Sequence, residues 1–472
     1  MNSNDMSKTS RRKFVKGSLI AAGGVLLAPS LDIILSGCSR KELKKITIDS
    51  VSSAFESEPL IRPFGFKGSY MNEIWQTAAF LKSRSGEHSI GLCTQNVLWS
   101  DASVFAAHSE NNSNALMYSL TDTALRMIKG HSFTRPVELF DAIFPEVYDA
   151  GKRLTSNPGL RKTFALNAMV GVDNAVWLLY AKENHIRNFD EMIPDEYRPS
   201  LSQHHEKVAG IPLMAYNIPV DEIRAAAESG YFFMKIKIGQ PGTQEEMLAK
   251  DMARLSEIHE SIGSMRTPYT QNGKLPYYFD ANGRYENKDT LLRLLDHARD
   301  IGAFDQIVII EEPFPEDAEI DVSDIPVRLA SDESAHTVED AINRIAMGYK
   351  AMALKPIAKT LSMTMKIAQA AFERNIPCYC ADLTVNPILV EWNKNVAARL
   401  ASFPGLGSLG LLESNGHQNY KNWEQMLEYH PRKDAPWVSV KNGIYELNRR
   451  FYSTGGGIFD PVPHYEEMFT GK

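Results

Sequence analysis

Beyond about Gly210 the chain alternates short apolar runs with longer amphipathic ones. The apolar runs read as strands at Pro212–Ile218, Phe232–Ile238, Tyr277–Asp280, Ile307–Glu311, Val327–Ala330, Ala351–Lys355, Cys378–Cys380 and Leu409–Leu412. Segments with helical spacing of apolar residues fall among them, at Asp221–Glu228, Gln244–Ile262, Lys288–Arg299, Val338–Met347, Ser362–Arg374 and Glu391–Ala401. Eight strands with helices between them predict an α/β fold, a closed parallel (β/α)8-type, TIM-like barrel over residues 210–422. Residues 45–206 read as α+β. Ile46–Phe55 alternates as a strand, Arg62–Gly68 reads as a loop, and Ile74–Leu81 and Ser89–Thr94 read as strands joined by a turn at Arg84–Glu87. Ala115–Lys129, Pro136–Ala150 and Arg161–Tyr180 carry helical periodicity. Residues 423–472 hold no further strand-helix unit and are expected to pack back on the N-terminal domain.

The predicted barrel strands end in charge: Lys235 and Lys237, Asp280, Glu311, Asp332, Lys355 and Glu413. A buried charge costs several kcal/mol unless it is paired or binds a metal. Repetition at strand after strand implies one shared polar site at the C-terminal mouth of the barrel. Asp280, Glu311 and Asp332 end three successive strands, so their carboxylates can face one Mg²⁺, with water or substrate completing the octahedron. Each acid alone could equally be a helix cap or a loop charge; three in succession favour the metal. Glu312 and Glu333, one residue on, are expected to point away or to stand behind the site.

Lys235 and Lys237 lie two apart on one strand and point the same way, into the barrel. One can hold a substrate carboxylate while the other, its pKa lowered by its neighbours, acts as a base. The plainer reading is a pair of solvated lysines on an edge strand. Lys355 ends the sixth strand, across the barrel from the second, where it is either a second base facing the same substrate carbon or the partner of a core acid.

A net charge of -7 and a pI near 6.0 argue against nucleic acid or an anionic membrane as the main partner. Four cysteines, Cys38, Cys93, Cys378 and Cys380, are too few for a disulfide scaffold, and Cys378 and Cys380 read as buried core rather than a metal or redox pair. Ser10–Lys16 resembles a twin-arginine export signal, and an apolar stretch follows it. Leu35–Cys38 looks like a lipobox that would leave a lipidated Cys38 at the start of an exported, periplasmic, membrane-anchored protein. Pro29 and Asp32 interrupt that stretch and argue against a spanning anchor. His204-His205 reads as a solvated pair, and Gly455–Gly457 as a turn, since it lacks the strand and helix that flank a phosphate loop.

Lys-x-Lys, then YFDAN, IIEEPFP, ASDES and ALKPIAKT, spread over about Ala215–Gly416, resemble the enolase superfamily. The subgroup most similar is that of muconate-lactonising enzymes and dipeptide epimerases, within the mandelate racemase/muconate lactonizing enzyme family. The resemblance implies that residues 45–206, with the C-terminal tail, form a capping domain over the barrel. It also implies removal of a proton α to a carboxylate through a Mg²⁺-stabilised enediolate. Lys237 and Lys355 would be the catalysts, Lys235, Asp382, Glu413 and Asn415 would bind substrate, and Asp280, Glu311 and Asp332 would bind Mg²⁺. Where mandelate racemases carry an Asp and a His on the sixth and seventh strands, this chain has Lys355, and Asp382 without a His. Dipeptide epimerases carry Asp-x-Asp-Gly after the eighth strand, where the acids bind an α-ammonium; here the residues are Glu413-Ser414-Asn415-Gly416. One more residue separates Lys355 from Lys359 than the family pattern has. Arg62, Phe64, Phe66 and Lys67 lie in the segment that in the family covers the mouth and reads the substrate's far end; a plain surface loop is the alternative. The function implied is an isomerase, a racemase or epimerase of an amino-acid derivative or dipeptide. Cycloisomerisation or dehydration of a sugar acid or lactone uses the same site with one base. A non-catalytic binding lipoprotein is the third reading, and opposed lysines are superfluous for it. The oligomeric state is left open.

Overall fold

The computed structural model describes residues 43–470. The predicted export signal and Cys38 lie outside them. Leu43 onward clusters as one compact unit in which an N-terminal cap sits on a barrel.

The cap is a four-stranded sheet packed against helices. Strands β1 (Ile46–Phe66), β2 (Ser69–Ser83), β3 (His88–Gln95) and β4 (Ser132–Phe133) lie in the order β3-β2-β1-β4. Helices α1 (Glu110–Ile128), α2 (Pro136–Thr155) and α3 (Lys162–Glu183) pack against it. Nearly every residue of α3 is buried, and Gly91 lets β3 lie flat on it: a Cβ there would meet the Gly171 carbonyl at 2.0 Å. Among the described helices α3 alone is long and apolar enough to cross a membrane, and here it is the core helix of the cap. The expected loop over Arg62–Gly68 is a strand to Phe66. It pairs with Ser69–Met71 across a turn in which Lys67 (φ 45°) and Gly68 (φ 85°) take left-handed backbone, so the hairpin is longer than the pattern suggested. Pro63 and Gly65 disguise the strand in the sequence.

The barrel strands are β5 (Lys207–Ile211), β6 (Leu213–Met214), β7 (Met234–Lys237), β8 (Tyr277–Asp280), β9 (Ile307–Glu311), β10 (Leu329–Ser331), β11 (Ala351–Leu354), β12 (Cys378–Cys380) and β13 (Gly410–Glu413). β6 through β13 pair in parallel in chain order, and β13 pairs with β5. Only Pro212 separates β5 from β6. Its carbonyl accepts from Lys235 N at 3.0 Å on one side, while Ser414 N donates to the Ile211 carbonyl at 3.1 Å on the other. The two pieces are one first strand, and the sheet closes through it. That strand starts at Lys207 rather than at the expected Pro212, and it ends four residues before Ile218. The C-terminal segment differs from expectation as well. Its strand β14 (Ile444–Glu446) adds antiparallel to β5, so the tail extends the barrel sheet. It also reaches the cap, where His464 Nε2 meets Glu56 at 2.8 Å and Phe469 packs on Phe80.

Candidate active site

Most barrel strands bring a charged side chain to one mouth, either as the last residue of the strand (Lys237, Asp280, Glu311, Glu413) or just after it (Asp332, Lys355, Asp382). From β7, Lys235 is almost wholly buried, and its Nζ lies 2.9 Å from Asp280 Oδ2, 2.8 Å from Glu311 Oε1 and 3.1 Å from Glu413 Oε2. Burial works against its charge, but Asp280, Glu311 and Glu413 outweigh it and hold the pKa well above the usual lysine value. Lys237 Nζ lies 2.5 Å from Asp280 Oδ2 and also donates to Asn282 Oδ1. Across the mouth, Lys355 Nζ lies 2.5 Å from Asp332 Oδ2; burial works against its charge, but Asp332 outweighs it and leaves the pKa raised. Lys359, one short helical turn on, donates to the Asp332 carbonyl at 2.5 Å and lies 3.3 Å from Asp332 Oδ1. Burial opposes the charge on Asp332 and on Asp280, yet their lysines hold both carboxyls below the usual range. Glu311 is pushed up to about 8, chiefly by burial that Lys235 only partly offsets. It also accepts from the hydroxyls of Tyr278 and Tyr379.

The acids do not play identical parts. Oxygens of Glu311, Asp332 and Glu333 lie within 4.8 Å of one another, while the Asp280 carboxylate is taken up by Lys235, Lys237 and the backbone N of Asn282. Glu333 therefore faces the site, contrary to expectation. β10 stops at Ser331, so the alternation that would turn Glu333 away no longer applies at 332–333. Glu312 stands behind the site as expected: Oε2 accepts from Asp332 N at 2.7 Å and from Ser334 N at 3.2 Å. Glu333 Oε1 accepts from Asn282 Nδ2 at 2.8 Å, but its buried Oε2 has no partner. An unmatched buried carboxylate oxygen beside two more carboxylates is the donor set of a hard divalent cation. The residues present fit Mg²⁺.

The rest of the mouth comes from β12, β13 and the cap. A narrow cavity of about 40 Å³ is lined by Lys235, Lys237, Lys355, Asp280, Asp332 and Glu333 together with Asp382, Thr384, Glu413 and Asn415, and is covered by Phe64, Phe66, Asn96 and Trp99. Asp382 accepts from Leu383 N and Asn415 N, each at 2.7 Å, and burial beside Glu413 pushes its carboxyl up to about 7. Asn415 Nδ2 donates to Glu413 Oε1 at 3.2 Å, and Asn415 Oδ1 accepts from Thr384 at 2.7 Å. Of the residues proposed from the sequence for catalysis or for metal or substrate binding, all but Glu311 line this cavity, and Glu311 stands behind it, 2.8 Å from Lys235 Nζ. Phe64 and Phe66 reach it from the hairpin; Arg62 and Lys67 are exposed and outside its lining. Asn282, Glu333, Thr384 and Trp99 were not foreseen. Asn282 and Glu333 stand beside flagged acids in YFDAN and ASDES, which was the available signal.

The other candidates lie elsewhere. His204 pairs with Asp190, and His205 is buried with Nε2 2.9 Å from the Leu400 carbonyl. Cys378 and Cys380 are buried free thiols whose pKa values burial raises. Gly455–Gly457 is a buried turn. A larger cleft of about 560 Å³ opens between the cap, the helix Pro387–Ala397 and the tail. Its charged lining, Glu87, Lys182, Arg187, Asp460 and Glu466, comes from the cap and the tail and includes none of the acids and lysines at the barrel strand ends.

Residues 220–447 match the family described as Enolase C-terminal domain-like. No curated protein matches the sequence. The fold is that of solved structures at low identity. A mandelate racemase/muconate lactonizing enzyme from Roseiflexus sp. is 14% identical with a TM-score of 0.59, over 88% of this chain and 98% of that one. A dipeptide epimerase from Enterococcus faecalis V583, complexed with Mg and L-Leu-L-Tyr, is 14% identical with a TM-score of 0.56, over 78% and 90%. The L-Ala-D/L-Glu epimerase from Bacillus subtilis, in a substrate-liganded complex, is 16% identical with a TM-score of 0.55, over 80% and 90%.

Proposed function

We propose that this protein, whose residues 220–447 match the enolase C-terminal domain-like family, is a racemase or epimerase. It removes and returns the proton α to a carboxylate, in an amino-acid derivative or dipeptide. One observation carries the reading: two lysines stand on opposite sides of the mouth, Lys237 against Asp280 and Lys355 against Asp332, with Glu311 between them. A carboxylate held over Glu311 and Asp332 places its α-carbon between the two amines.

A Mg²⁺ held by Glu311 and Asp332, with Asp280 or Glu333, would neutralise the charge that grows on the substrate carboxylate as its α-proton leaves. The chain's own groups do the rest. Lys237 Nζ takes or returns the proton from one face and Lys355 Nζ from the other, which inverts the centre. Lys235, shared by Asp280, Glu311 and Glu413, supplies positive charge beside the reacting carboxylate. Phe64 and Phe66 close the mouth against water. Asp382, Glu413 and Asn415 occupy the remaining arc and contact the substituent on the α-carbon. The protein works outside the cytoplasm, anchored through a lipid on Cys38.

The test is α-proton exchange in D2O with Mg²⁺, over paired stereoisomers of dipeptides, N-acyl amino acids and acid sugars. Deuterium should enter at the α-carbon of both members of a dipeptide or amino-acid pair. Conversion of an acid sugar to an unsaturated product, with no exchange of amino-acid derivatives, would replace this reading with the one-base elimination.

A further inference from the structure

Lys355 belongs to an irregular stretch that the barrel alone does not explain. After β11 the chain makes one short helical turn, Pro356–Lys359, and then places Thr360 at φ 69°, ψ 154°. That region is essentially restricted to glycine, and a β-branched residue stays there only when its surroundings fix it. The cap supplies those surroundings. Asp173 of α3 accepts from Ser362 N at 3.0 Å and Ser362 Oγ at 2.6 Å, and Trp177 Nε1 donates to the same hydroxyl at 3.0 Å. At the other end of the stretch the indole of Trp99, also from the cap, covers the Lys355 amine, with Nζ 4.1 Å from the ring centroid. The ammonium thus lies between the face of an indole and the Asp332 carboxylate, and all three groups are buried.

Trp99 is itself held firmly. Its backbone N donates to Asn96 Oδ1 at 3.0 Å, and its carbonyl accepts from Arg161 Nη1 at 2.8 Å. Arg161 Nε in turn donates to Glu316 of the barrel at 3.0 Å, which ties this corner of the cap to the loop after β9. Among the described residues no ring stands over the Lys237 amine as Trp99 does over Lys355, and the partners of Lys237, Asp280 and Asn282, are both barrel residues. The two amines that flank the mouth are therefore positioned by different parts of the molecule.

We propose that Trp99 is a positioning residue: the cap uses its indole, together with the clamp on Thr360–Ser362, to fix the Lys355 amine in the mouth. A lysine carries its amine on a flexible stem, and proton transfer needs it held close to the α-carbon. The π face satisfies the ammonium on the side where Asp332 does not reach, and it offers no hydrogen-bond acceptor that would pull the amine away. This inference rests on the reading of Lys355 as a base, but one arm of its test does not.

That arm is pulse labelling of amines with acetic anhydride on the folded full chain, read by mass spectrometry of lysine peptides. Trp99→Leu should speed labelling of Lys355 about two- to thirtyfold, the factor that loss of a cation–π contact converts to. Trp99→Phe, which keeps a ring, should stay near wild type, and Lys235 should change in neither. An unchanged Lys355 rate in the Leu variant overturns the proposal, as does a parallel rise at Lys235, which would mean a general opening of the cap.

The second arm is α-proton exchange with paired stereoisomers. Trp99→Leu should slow exchange of the isomer deprotonated by Lys355 and leave the isomer served by Lys237 near wild type. Equal slowing of both overturns the positioning role. If the wild-type protein exchanges no α-proton of any compound offered, the proposed reaction fails, while the labelling still decides whether Trp99 holds Lys355.

Discussion

Two clusters of buried charge among the described residues of the barrel make a contrast, and the one at the mouth is the candidate site. At the mouth, Lys235, Lys237, Lys355 and Lys359 meet Asp280, Glu311, Asp332 and Glu413 around a cavity. On the outer layer, in the helix Pro387–Ala397, Lys394 is wholly buried. Its Nζ donates to Glu391 Oε1 and to the Trp437 carbonyl, both at 2.7 Å, and stands 4.2 Å from the Tyr445 ring centroid. His430 Nε2 lies 3.5 Å from the same Glu391 oxygen. The outer cluster is closed. Gly456 backs so tightly on Glu391 Oε2 that a Cβ there would sit 2.3 Å from it. Burial of charge therefore does not mark function by itself. An unmatched carboxylate oxygen does not separate the two, since Glu391 Oε2 lacks a partner as Glu333 Oε2 does; what distinguishes the mouth is several cations sharing several acids, with open volume beside them.

The sharpest way to break this contrast is to remove one lysine from each cluster. Lys355→Ala or Lys237→Ala should lower turnover by about 10²–10⁴-fold, the usual loss of a general acid or base. The folded state should survive, because neighbouring lysines and water can compensate the freed acid. Exchange assays per stereoisomer, with circular dichroism on the same samples, check both halves. Lys394→Met should instead leave activity per folded molecule intact and cost about 3–5 kcal/mol of stability, because Glu391 stays buried without its cation. Pairing it with Glu391→Leu should restore most of that loss in urea titrations. A destabilised Lys355→Ala, or a harmless Lys394→Met, would erase the distinction.

The mouth was more legible than the outer cluster because strand ends announce it. MKIK, YYFD, IVIIE and GLLE each put a charge directly after apolar residues, and the structure places all of these at one rim. Glu391 and Lys394 lie three apart on a helix, a spacing that also describes any solvated helix face, so nothing in the sequence says that they are buried. The first barrel strand was misplaced because Val208-Ala209-Gly210 is short and small, and Pro212 reads as a boundary, whereas the chain uses its carbonyl to pair with β7. Trp99 was invisible for another reason. It belongs to the cap, 256 positions before Lys355, and only the docking of the two parts brings them together.

A third comparison sets the cap–barrel contact against solution pH. Burial pushes Asp173 up to about 6, against 3.8 for an ordinary aspartate, despite the hydrogen bonds from Ser362. The folded state thus holds this proton more tightly than the unfolded chain. Its contribution to stability is fully present below pH 3.8 and is lost as pH rises through about 6. The loss amounts to roughly 3 kcal/mol, at about 1.4 kcal/mol per pKa unit. Asp173→Asn should lack this slope, so the stability difference between variant and wild type should shift by about that amount between pH 4 and pH 7. Parallel pH profiles would show that Asp173 does not titrate in this window.

Mg²⁺ should act on the mouth and leave the outer cluster untouched. At about a hundred times its dissociation constant, it should stabilise the fold by about 2.7 kcal/mol through mass action. Glu311→Gln should abolish that gain, whereas Lys394→Met should keep it. Thermal melts with and without the ion read the difference with no substrate present. An equal gain in wild type and Glu311→Gln would mean that the ion binds elsewhere.

The smallest expected effect concerns the strained stretch beside Lys355. Thr360 bears a cost of about 1–3 kcal/mol for its backbone conformation, and its Oγ1 accepts from Met363 N at 3.2 Å as a helix cap. Thr360→Ala keeps the strain and loses the cap, so it should destabilise by about 1 kcal/mol. Thr360→Gly also loses the cap and adds about 1 kcal/mol of unfolded-state entropy, but it releases the strain. The three terms nearly cancel, so its stability should stay within about 1 kcal/mol of wild type. Glycine should therefore be the better-tolerated substitution, although alanine is the better residue in most folded positions. Its effect on activity should be confined to the stereoisomer served by Lys355, because the loosened stretch carries that amine and not Lys237. If alanine proves as stable as glycine, the backbone at Thr360 is not strained, and the cap does not need its clamp on Ser362 to hold the loop in place.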